Sequence, residues 1–364
     1  MKKLLFGITS LTIGGAERVL VDLVNELCEN YEITVFTLYP NGEFEKSLSP
    51  KVELKSLYKK QFKELNKIQK ILIPLLVWLK QKSIYKKYIR KDYDVEIAFL
   101  EGAITRLFSV KNNKTTKIAW IHNDIGKVFG KSLKAKIKRN IDKKIYSKYD
   151  KLVFVSEDNH KKFEEIYSNN VEKEVIYNYI NKDIVIDKSN EKIDIEFNNN
   201  NINFVTVARL VEQKALDRLI KVHSRLIKEG YNHNFYIIGE GPEKEKLQKL
   251  IDNEGVQETF KILGKRENPY PYIKYADYFC LLSYFEGYGM VLEEAKILNK
   301  YILITDTAAR EVVKGYSNYQ IFDNTEDGIY NGLKNNIDKK PIVSEQKNYN
   351  NKNIIKKIME LVGE

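Results

Sequence analysis

The chain has little of what cofactor and metal chemistry usually needs. Its 364 residues include two cysteines, Cys28 and Cys280, far apart and each in an apolar context. That excludes a disulfide framework and any CxxC zinc site, and it points to a reducing compartment. The four histidines, His122, His160, His223 and His233, show no metal-ligand spacing. Long hydrophobic runs are missing too. The longest, ILIPLLVWL at 71–79, is nine residues and contains Pro74, whereas a spanning helix needs roughly 20. The run LLFGITSL near the start breaks into Gly14-Gly15 with no small-residue cleavage site, so no leader peptide is expected. The expectation is a cytoplasmic protein, soluble or held at the inner face of the cell membrane. Arginine is scarce, nine against 52 lysines, in a chain of net charge +11. That charge suits an anionic partner such as phosphate, nucleic acid or an acidic membrane. A lysine excess with many asparagines beside it tracks genome composition equally well, so the charge counts for about half.

What is present is a globular composition, 43% hydrophobic, in a chain too long for one ordinary core; two domains are therefore expected. Short apolar runs alternate with longer mixed segments. Strands are predicted at 2–8, 32–38, 95–100, 116–121, 151–156 and 174–178, with the clearest helix at 16–31. Residues 186–203, IDKSNEKIDIEFNNNNIN, are polar and lack period, which reads as a linker. Alternation then restarts, with strands at 203–208, 234–239, 260–264, 278–283, 301–305 and 319–322, and helices at 215–229, 243–253 and 289–298. This is α/β patterning, two Rossmann-like doubly wound domains in tandem. The predicted division is 1–185, a linker at 186–203, 204–345, and a carboxyl-terminal helix at 346–364 that packs back on the first domain.

In such sheets ligands bind beyond the carboxyl ends of the strands, so candidate residues are those that follow a strand. Gly14 and Gly15 follow the first and lead into a helix whose free amides suit a phosphate or a sugar hydroxyl; the plainer reading is a turn. A dinucleotide fingerprint needs a third glycine where Arg18 stands. His122 and Asp124 follow the strand at 116–121; His122 sits either in a cleft or as an ordinary core or surface residue. Arg209 and Lys214 flank a loop that opens a helix, where two cations can neutralise a diphosphate, or else are solvated charges. Gly239, Gly241 and Pro242 read first as a turn. In FEGYGMVLEEAKI (285–297), Gly287 and Gly289 allow close backbone approach at a helix start. Glu286 precedes the helix and Glu294 lies inside it, roughly 10 Å away at 1.5 Å rise per residue. That is too far for a shared proton or a two-carboxylate hydrolase, yet it suits the two ends of one extended ligand. Asp92-Tyr93-Asp94 has a DxD form but precedes a strand, the wrong end for a site, and is assigned to the surface.

Taken in order, GGAER, IHND, VARLVEQKALDRLI, IIGEGPEKEKL, ILGK, FEGYGMVLEEAK and ITDTAARE resemble the retaining glycosyltransferases of family 4 over nearly the whole chain. Glu286 to Glu294 matches that family's E-x7-E motif. The resemblance implies the GT-B fold, two Rossmann-like domains facing a central cleft, and a nucleotide-sugar donor, UDP-sugar favoured, used without a metal or other cofactor. Arg209 and Lys214 would bind the diphosphate, Glu294 the ribose, and Glu286 the donor sugar near the reacting carbon. Gly287, Tyr288, Gly289, Met290 and Val291 would add contacts to the diphosphate or sugar. His122 would lie near the sugar, and Gly14-Gly15 would line the cleft floor. Ala208, Ala215, Ala308 and Ala309 stand where the family often has glycine. A nucleotide-sugar epimerase on the same fold is an alternative, against which E-x7-E beside Arg209 and Lys214 argues.

Residues 55–91 and 131–151 interleave lysine with apolar and aromatic residues. They suit peripheral contact with anionic lipid, where a lipid-linked glycan acceptor would be presented, or are solvated helix faces with buried stems. Nucleic acid is not expected, because the lysines sit on helices with no recognisable module. A basic membrane-binding protein with an inactive cleft is the remaining alternative.

Overall fold

Two parallel sheets organise the chain in the computed structural model, which describes residues 1–89, 93–122, 133–167, 169–198, 200–344 and 352–363. One compact unit comprises Met1–Ile180 with Asn351–Glu364, the other Asn181–Asn350.

The first unit carries seven strands, β1 Lys3–Ile8, β2 Glu32–Thr37, β3 Glu53–Ser56, β4 Val95–Ala98, β5 Thr116–Ile121, β6 Lys151–Phe154 and β7 Glu172–Val175. They pair in the order β3-β2-β1-β4-β5-β6-β7, every pair parallel. Its longer helices are α1 Gly15–Leu27, α2 Lys67–Leu79, α3 Ala103–Phe108, α4 Leu133–Tyr146 and α5 Glu157–Tyr167, with a single turn of helix at Gln81–Ile84. Residues Leu4 to Ile8 of β1 are all buried, because a parallel sheet is covered on both faces and its inner strands are apolar throughout. Strand β3, ELKS, is absent from the predicted set: as an edge strand it pairs only with β2 and stays partly exposed, so it has no apolar run to give it away.

Under this sheet lies an ion pair. Lys117 Nζ stands 2.6 Å from Glu96 Oε2, with the two side chains 3% and 0% exposed. Tyr85 Oη donates to Glu96 Oε1 at 2.6 Å, and Lys117 Nζ donates to the Phe108 carbonyl at 2.8 Å. Burial pushes the Lys117 ammonium below its usual range, and the Glu96 carboxylate opposes that shift.

The second unit has six strands, β8 Ile202–Val207, β9 His233–Ile238, β10 Phe260–Gly264, β11 Tyr278–Leu281, β12 Tyr301–Thr305 and β13 Tyr319–Phe322. Its helices are α6 Lys182–Lys188, α7 Leu216–Lys228, α8 Lys244–Glu254, α9 Tyr270–Tyr275, α10 Met290–Ile297, α11 Arg310–Val313 and α12 Glu326–Lys334. The sheet order is β10-β9-β8-β11-β12-β13, again all parallel. The winding direction reverses between β8 and β11, which makes the carboxyl ends of these two strands the switch point where such sheets bind ligands. The last helix, α13 Lys352–Val362, belongs to the first unit, where Ile358, Leu361 and Val362 are buried and Lys2 Nζ donates to the Val362 carbonyl.

The change of unit falls at 180/181, ahead of the stretch predicted as a linker at 186–203. That stretch is fixed to the second unit. It begins inside α6, Phe197 packs edge-on against Tyr236 at 4.6 Å, and Asp194 pairs with Arg266 at 2.8 Å. Its lack of period reflects a strap held by single side chains, not a loose connection.

Beneath the outer strands of the second sheet, His223 and His233 are both fully buried. His223 Nδ1 meets His233 Nε2 at 2.8 Å, His233 Nδ1 meets the Tyr231 carbonyl at 3.2 Å, and His223 Nε2 meets Thr259 Oγ1 at 2.8 Å. Two neutral rings satisfy this chain with each Nδ1–H donating and each Nε2 accepting, the Thr259 hydroxyl then donating to His223. Burial lowers His233 to about 4 and lowers His223 as well. The unfolded rings take protons near pH 6.5 and the native ones do not, so their contribution is complete above that pH and is lost as pH falls. At pH 5 the loss is about 2 kcal/mol for His233, and His223 shifts stability in the same direction. Calorimetry at pH 7 and pH 5 should show the transition of the second unit moving down by about 5 °C or more. Both tryptophans, Trp78 and Trp120, lie in the first unit, so their fluorescence assigns the other transition.

Candidate active site

At the end of β8 the chain is zipped to the end of β9. Ala208 N donates to the Ile238 carbonyl, Leu210 N to the Glu240 carbonyl, and Glu243 N to the Leu210 carbonyl. The two glycines of IIGEG make that approach possible. A Cβ at Gly239 would stand 1.9 Å from the Ala208 oxygen, and one at Gly241 would stand 2.2 Å from the Leu210 oxygen. The motif that reads as a turn thus sets the loop that carries Arg209. This residue is exposed, and its guanidinium makes no ion pair among the described residues.

A short 3-10 turn, Glu212–Lys214, follows and ends on Ala215 at φ 51°. A left-handed conformation costs a residue with a Cβ roughly 1–2 kcal/mol, a cost glycine would not carry at this place. The turn delivers Lys214 to Glu286, with Nζ 2.6 Å from Oε1 and the side chains 17% and 5% exposed. Ser283 Oγ donates to the same Glu286 oxygen at 2.5 Å.

The loop that carries Glu286 leaves β11 with its backbone fully engaged. The Leu282 carbonyl accepts from Arg218 Nη2 at 3.1 Å, and the Ser283 carbonyl from Thr305 Oγ1 at 2.7 Å. The Tyr284 carbonyl accepts from Asn324 Nδ2 at 2.8 Å, and the Phe285 carbonyl from Gln213 Nε2 at 3.0 Å. Four successive carbonyls are thus each held by a side chain from elsewhere in the unit. Polar backbone in a packed loop needs partners; here they come from four other segments of the unit and hold the loop in place. Arg218, itself buried, also lies over the Tyr284 ring at 4.4 Å and bonds Asn324 Oδ1 at 2.9 Å.

Beyond Glu286 the chain passes Gly287 and Tyr288 to Gly289, whose φ of 76° starts α10. A Cβ at Gly289 would stand 3.3 Å from the Leu281 and Leu292 methyls. Met290 and Val291 form the first turn, where free amides and the helix dipole favour an anion. Glu294 lies on the partly exposed side of α10 and accepts from Tyr270 Oη at 3.1 Å. Its neighbour Glu293 points the other way, buried, with Tyr288 Oη at 2.7 Å and Lys296 Nζ at 2.9 Å. Lys296 also donates to the Val312 carbonyl at 2.7 Å, so this network ties the glycine loop to α10 and α11. The two adjacent acids therefore have separate work, one facing the site and one bracing it.

In the first unit, Gly14 is extended at φ −169° and caps α1. A Cβ there would meet Glu17 Oε2 at 2.2 Å, so the glycine leaves room for a carboxylate at the helix entrance. Burial raises the pKa of Glu17. An acid in that position favours a hydroxyl over a phosphate as the group this entrance could receive. His122 follows β5 directly, its ring 4.7 Å from Phe99 and its backbone N donating to Glu101 Oε1 at 2.6 Å. Burial lowers it to about 3, opposed by a hydrogen bond with the Phe99 backbone, and Nε2 has no partner among the described residues. The imidazole is neutral at physiological pH.

Asp94 accepts from Lys3 N at 2.8 Å, a link within the sheet, while Asp92 of the DxD form, Asp124 of IHND and the start of the basic stretch at 131–151 lie outside the described residues. Of the residues that brace Glu286 and Glu294, Lys214 is legible in the sequence and the others are not. Ser283 and Tyr270 carry no pattern of their own. Arg218 had one faint signal, a cation four residues after Lys214 on the apolar face of α7.

Two family models match the chain, one described as glycosyl transferases group 1 over residues 187–354 and one as glycosyltransferase family 4 over residues 13–184. A glycosyltransferase of Methanocaldococcus jannaschii is 26% identical over 217 residues, 58% of this chain; the chain spans about half the length of that relative, 53%. The N-acetylgalactosamine-N,N'-diacetylbacillosaminyl-diphospho-undecaprenol 4-alpha-N-acetylgalactosaminyltransferase of Campylobacter jejuni is 28% identical over 369 residues, covering 96% of this chain and 93% of that one. Among solved structures, HepE of Anabaena in complex with UDP and glucose aligns with a TM-score of 0.69 at 16% identity, over 92% of this chain and 89% of its own. The two parallel sheets with these neighbours are the two-domain α/β GT-B fold.

Proposed function

Because the chain belongs to the family 4 glycosyltransferases, we propose that it moves a hexose-type sugar from a UDP-sugar to a lipid-linked glycan or oligosaccharide in cell-surface polysaccharide synthesis, with retention at the reacting carbon. The observation that carries this reading is the meeting of Lys214 and Glu286 at the switch point of the second sheet, on a loop whose four carbonyls are pinned. Departure of a nucleoside diphosphate develops negative charge, and the cations Arg209 and Lys214 with the amides of Gly287 to Val291 would stabilise it without a metal. Glu286, held rigidly, would face the sugar. Glu294 would accept from the ribose, with Tyr270 holding its other side. His122, neutral and with Nε2 unpaired among the described residues, would accept from a sugar hydroxyl. A same-face attack, in which the leaving phosphate takes the acceptor's proton, would give retention without a protein nucleophile.

UDP is favoured as the carrier by the Anabaena neighbour, which binds UDP and glucose. A lipid-linked acceptor is favoured by the Campylobacter relative, whose name specifies a sugar on diphospho-undecaprenol. An acceptor of that kind would place the protein at the inner face of the cell membrane, in peripheral contact with anionic lipid. Neither the epimerase nor the inactive-cleft alternative is favoured, since both matching models are of glycosyltransferases. Calorimetric titration with UDP, GDP, ADP and their sugars tests the reading. Binding of UDP and a UDP-sugar is expected; a folded protein that binds none of the panel overturns it, and one that binds only GDP or ADP sugars overturns the choice of carrier.

A further inference from the structure

Helix α2 turns its apolar side outward. At 100° per residue, Ile68, Leu72, Leu75, Leu76 and Leu79 fall within about a third of the helix circumference, and they are 67, 44, 46, 41 and 64% exposed. On the other side Val77 is buried, and Ile73 packs against the core of the first unit. Trp78, at the edge of the leucine face, is 43% exposed. A surface helix ordinarily shows the reverse pattern, and a contiguous exposed apolar patch marks a surface that binds something. The charge around this one has a single sign. Between Glu64 and Asp92 the sequence holds eight Lys or Arg and neither Asp nor Glu.

We infer that α2 is the element by which this protein lies on an anionic bilayer, with its leucine face in the boundary between headgroups and acyl chains and the flanking lysines on acidic headgroups. No helix among the described residues is long and apolar enough to cross a membrane, and α2 at thirteen residues is of a length to lie in the interface. A second copy of the chain fits the face poorly. A two-fold pairing through α2 would set each copy's cations against the same cations of the other. The inference rests on the proposed lipid-linked acceptor for its purpose, since such a substrate is presented at that surface, but its geometry stands on α2 alone.

The test uses the full chain with vesicles of phosphatidylcholine, and of phosphatidylcholine with about one third phosphatidylglycerol. Flotation with the acidic vesicles is expected at least tenfold above the neutral ones. Trp120 is buried and Trp78 exposed, so a blue shift and quenching by brominated acyl chains report on α2 directly. A variant with Leu72→Ser, Leu76→Ser and Leu79→Ser should lose about tenfold or more in partitioning. Should that variant fail to fold, quenching of the unaltered protein decides. No flotation, flotation without quenching of Trp78, or flotation unchanged by the three substitutions overturns the inference. So does a dimer, seen by sedimentation equilibrium, that the same substitutions dissolve. UDP-sugar binding measured on the same sample without vesicles keeps the two readings apart: its absence counts against the transfer activity alone, and intact binding without flotation counts against α2 alone.

Discussion

Glu286→Ala is expected to lower kcat for sugar transfer by about 10²–10³-fold while the donor Kd stays within a few-fold. The carboxylate is 5% exposed and held by Lys214 at 2.6 Å and Ser283 at 2.5 Å on a loop whose carbonyls are all engaged. A group this firmly placed contributes where charge develops during reaction, because it needs no reorganisation then. Removing it takes away little ground-state binding. Glu294 should behave in the opposite way. It lies on a partly exposed helix face, where Tyr270 Oη donates to it at 3.1 Å, and a charged acceptor on ribose hydroxyls would contribute about 1.5–3 kcal/mol. Glu294→Ala should therefore raise the donor KM by about tenfold or more with kcat nearly unchanged. Steady-state kinetics with a calorimetric Kd, on variants whose melting temperature matches the parent, separate the two. Small and equal effects would mean that α10 is only packing.

The parts of the molecule that were legible in the sequence are those where one physical requirement dominates. Fully covered parallel strands must be apolar, so eleven of the thirteen strands are matched by apolar runs such as LLFGI and YILIT, and β7 by EVIYN, all within a few residues. The edge strand β3 escapes because one-sided pairing leaves it no such run. The E-x7-E stretch is legible because glycine at a helix start and an acid on each side of it are costly unless something uses them. The order of the elements then places it at the switch point between β8 and β11. The braces are illegible for a different reason. Arg218, Ser283, Tyr270 and Asn324 are brought to the loop by the fold from separate helices and strands, and no spacing in the sequence records those meetings. Glu293 is a sharper case: beside Glu294 it reads as a solvent-facing acid, yet helical rotation turns it inward to Tyr288 and Lys296. The glycines at 239 and 241 read as a turn and prove to be a close approach between two loops.

Lys117→Ala should destabilise the first unit by about 3–5 kcal/mol, a fall of about 10 °C in its melting temperature. The ammonium and the Glu96 carboxylate are both removed from water, and each is tolerated only because the other is there. Losing Lys117 leaves Glu96, among the described residues, with the Tyr85 hydroxyl and a charge that cannot be solvated. Glu96→Ala should cost as much for the same reason, since it strands the lysine. Replacing both, as Lys117→Met with Glu96→Leu, should recover most of the loss, because the pair gains little over apolar packing once its desolvation is counted. Trp120 fluorescence during denaturation reads this unit alone, and a double-mutant cycle isolates the coupling; additive losses would refute the argument. The consequence extends to the membrane. Tyr85, the hydroxyl bound to Glu96, lies in the turn Tyr85–Ile89 that follows α2 within the same segment, so this polar cluster anchors the chain just beyond the leucine face. An apolar helix facing outward has no water-facing preference of its own to hold its orientation. A directional bond to a buried carboxylate supplies that orientation, and a Tyr85→Phe protein, which lacks the bond to Glu96, should accordingly show weaker quenching of Trp78 by brominated lipid even at temperatures where it remains folded.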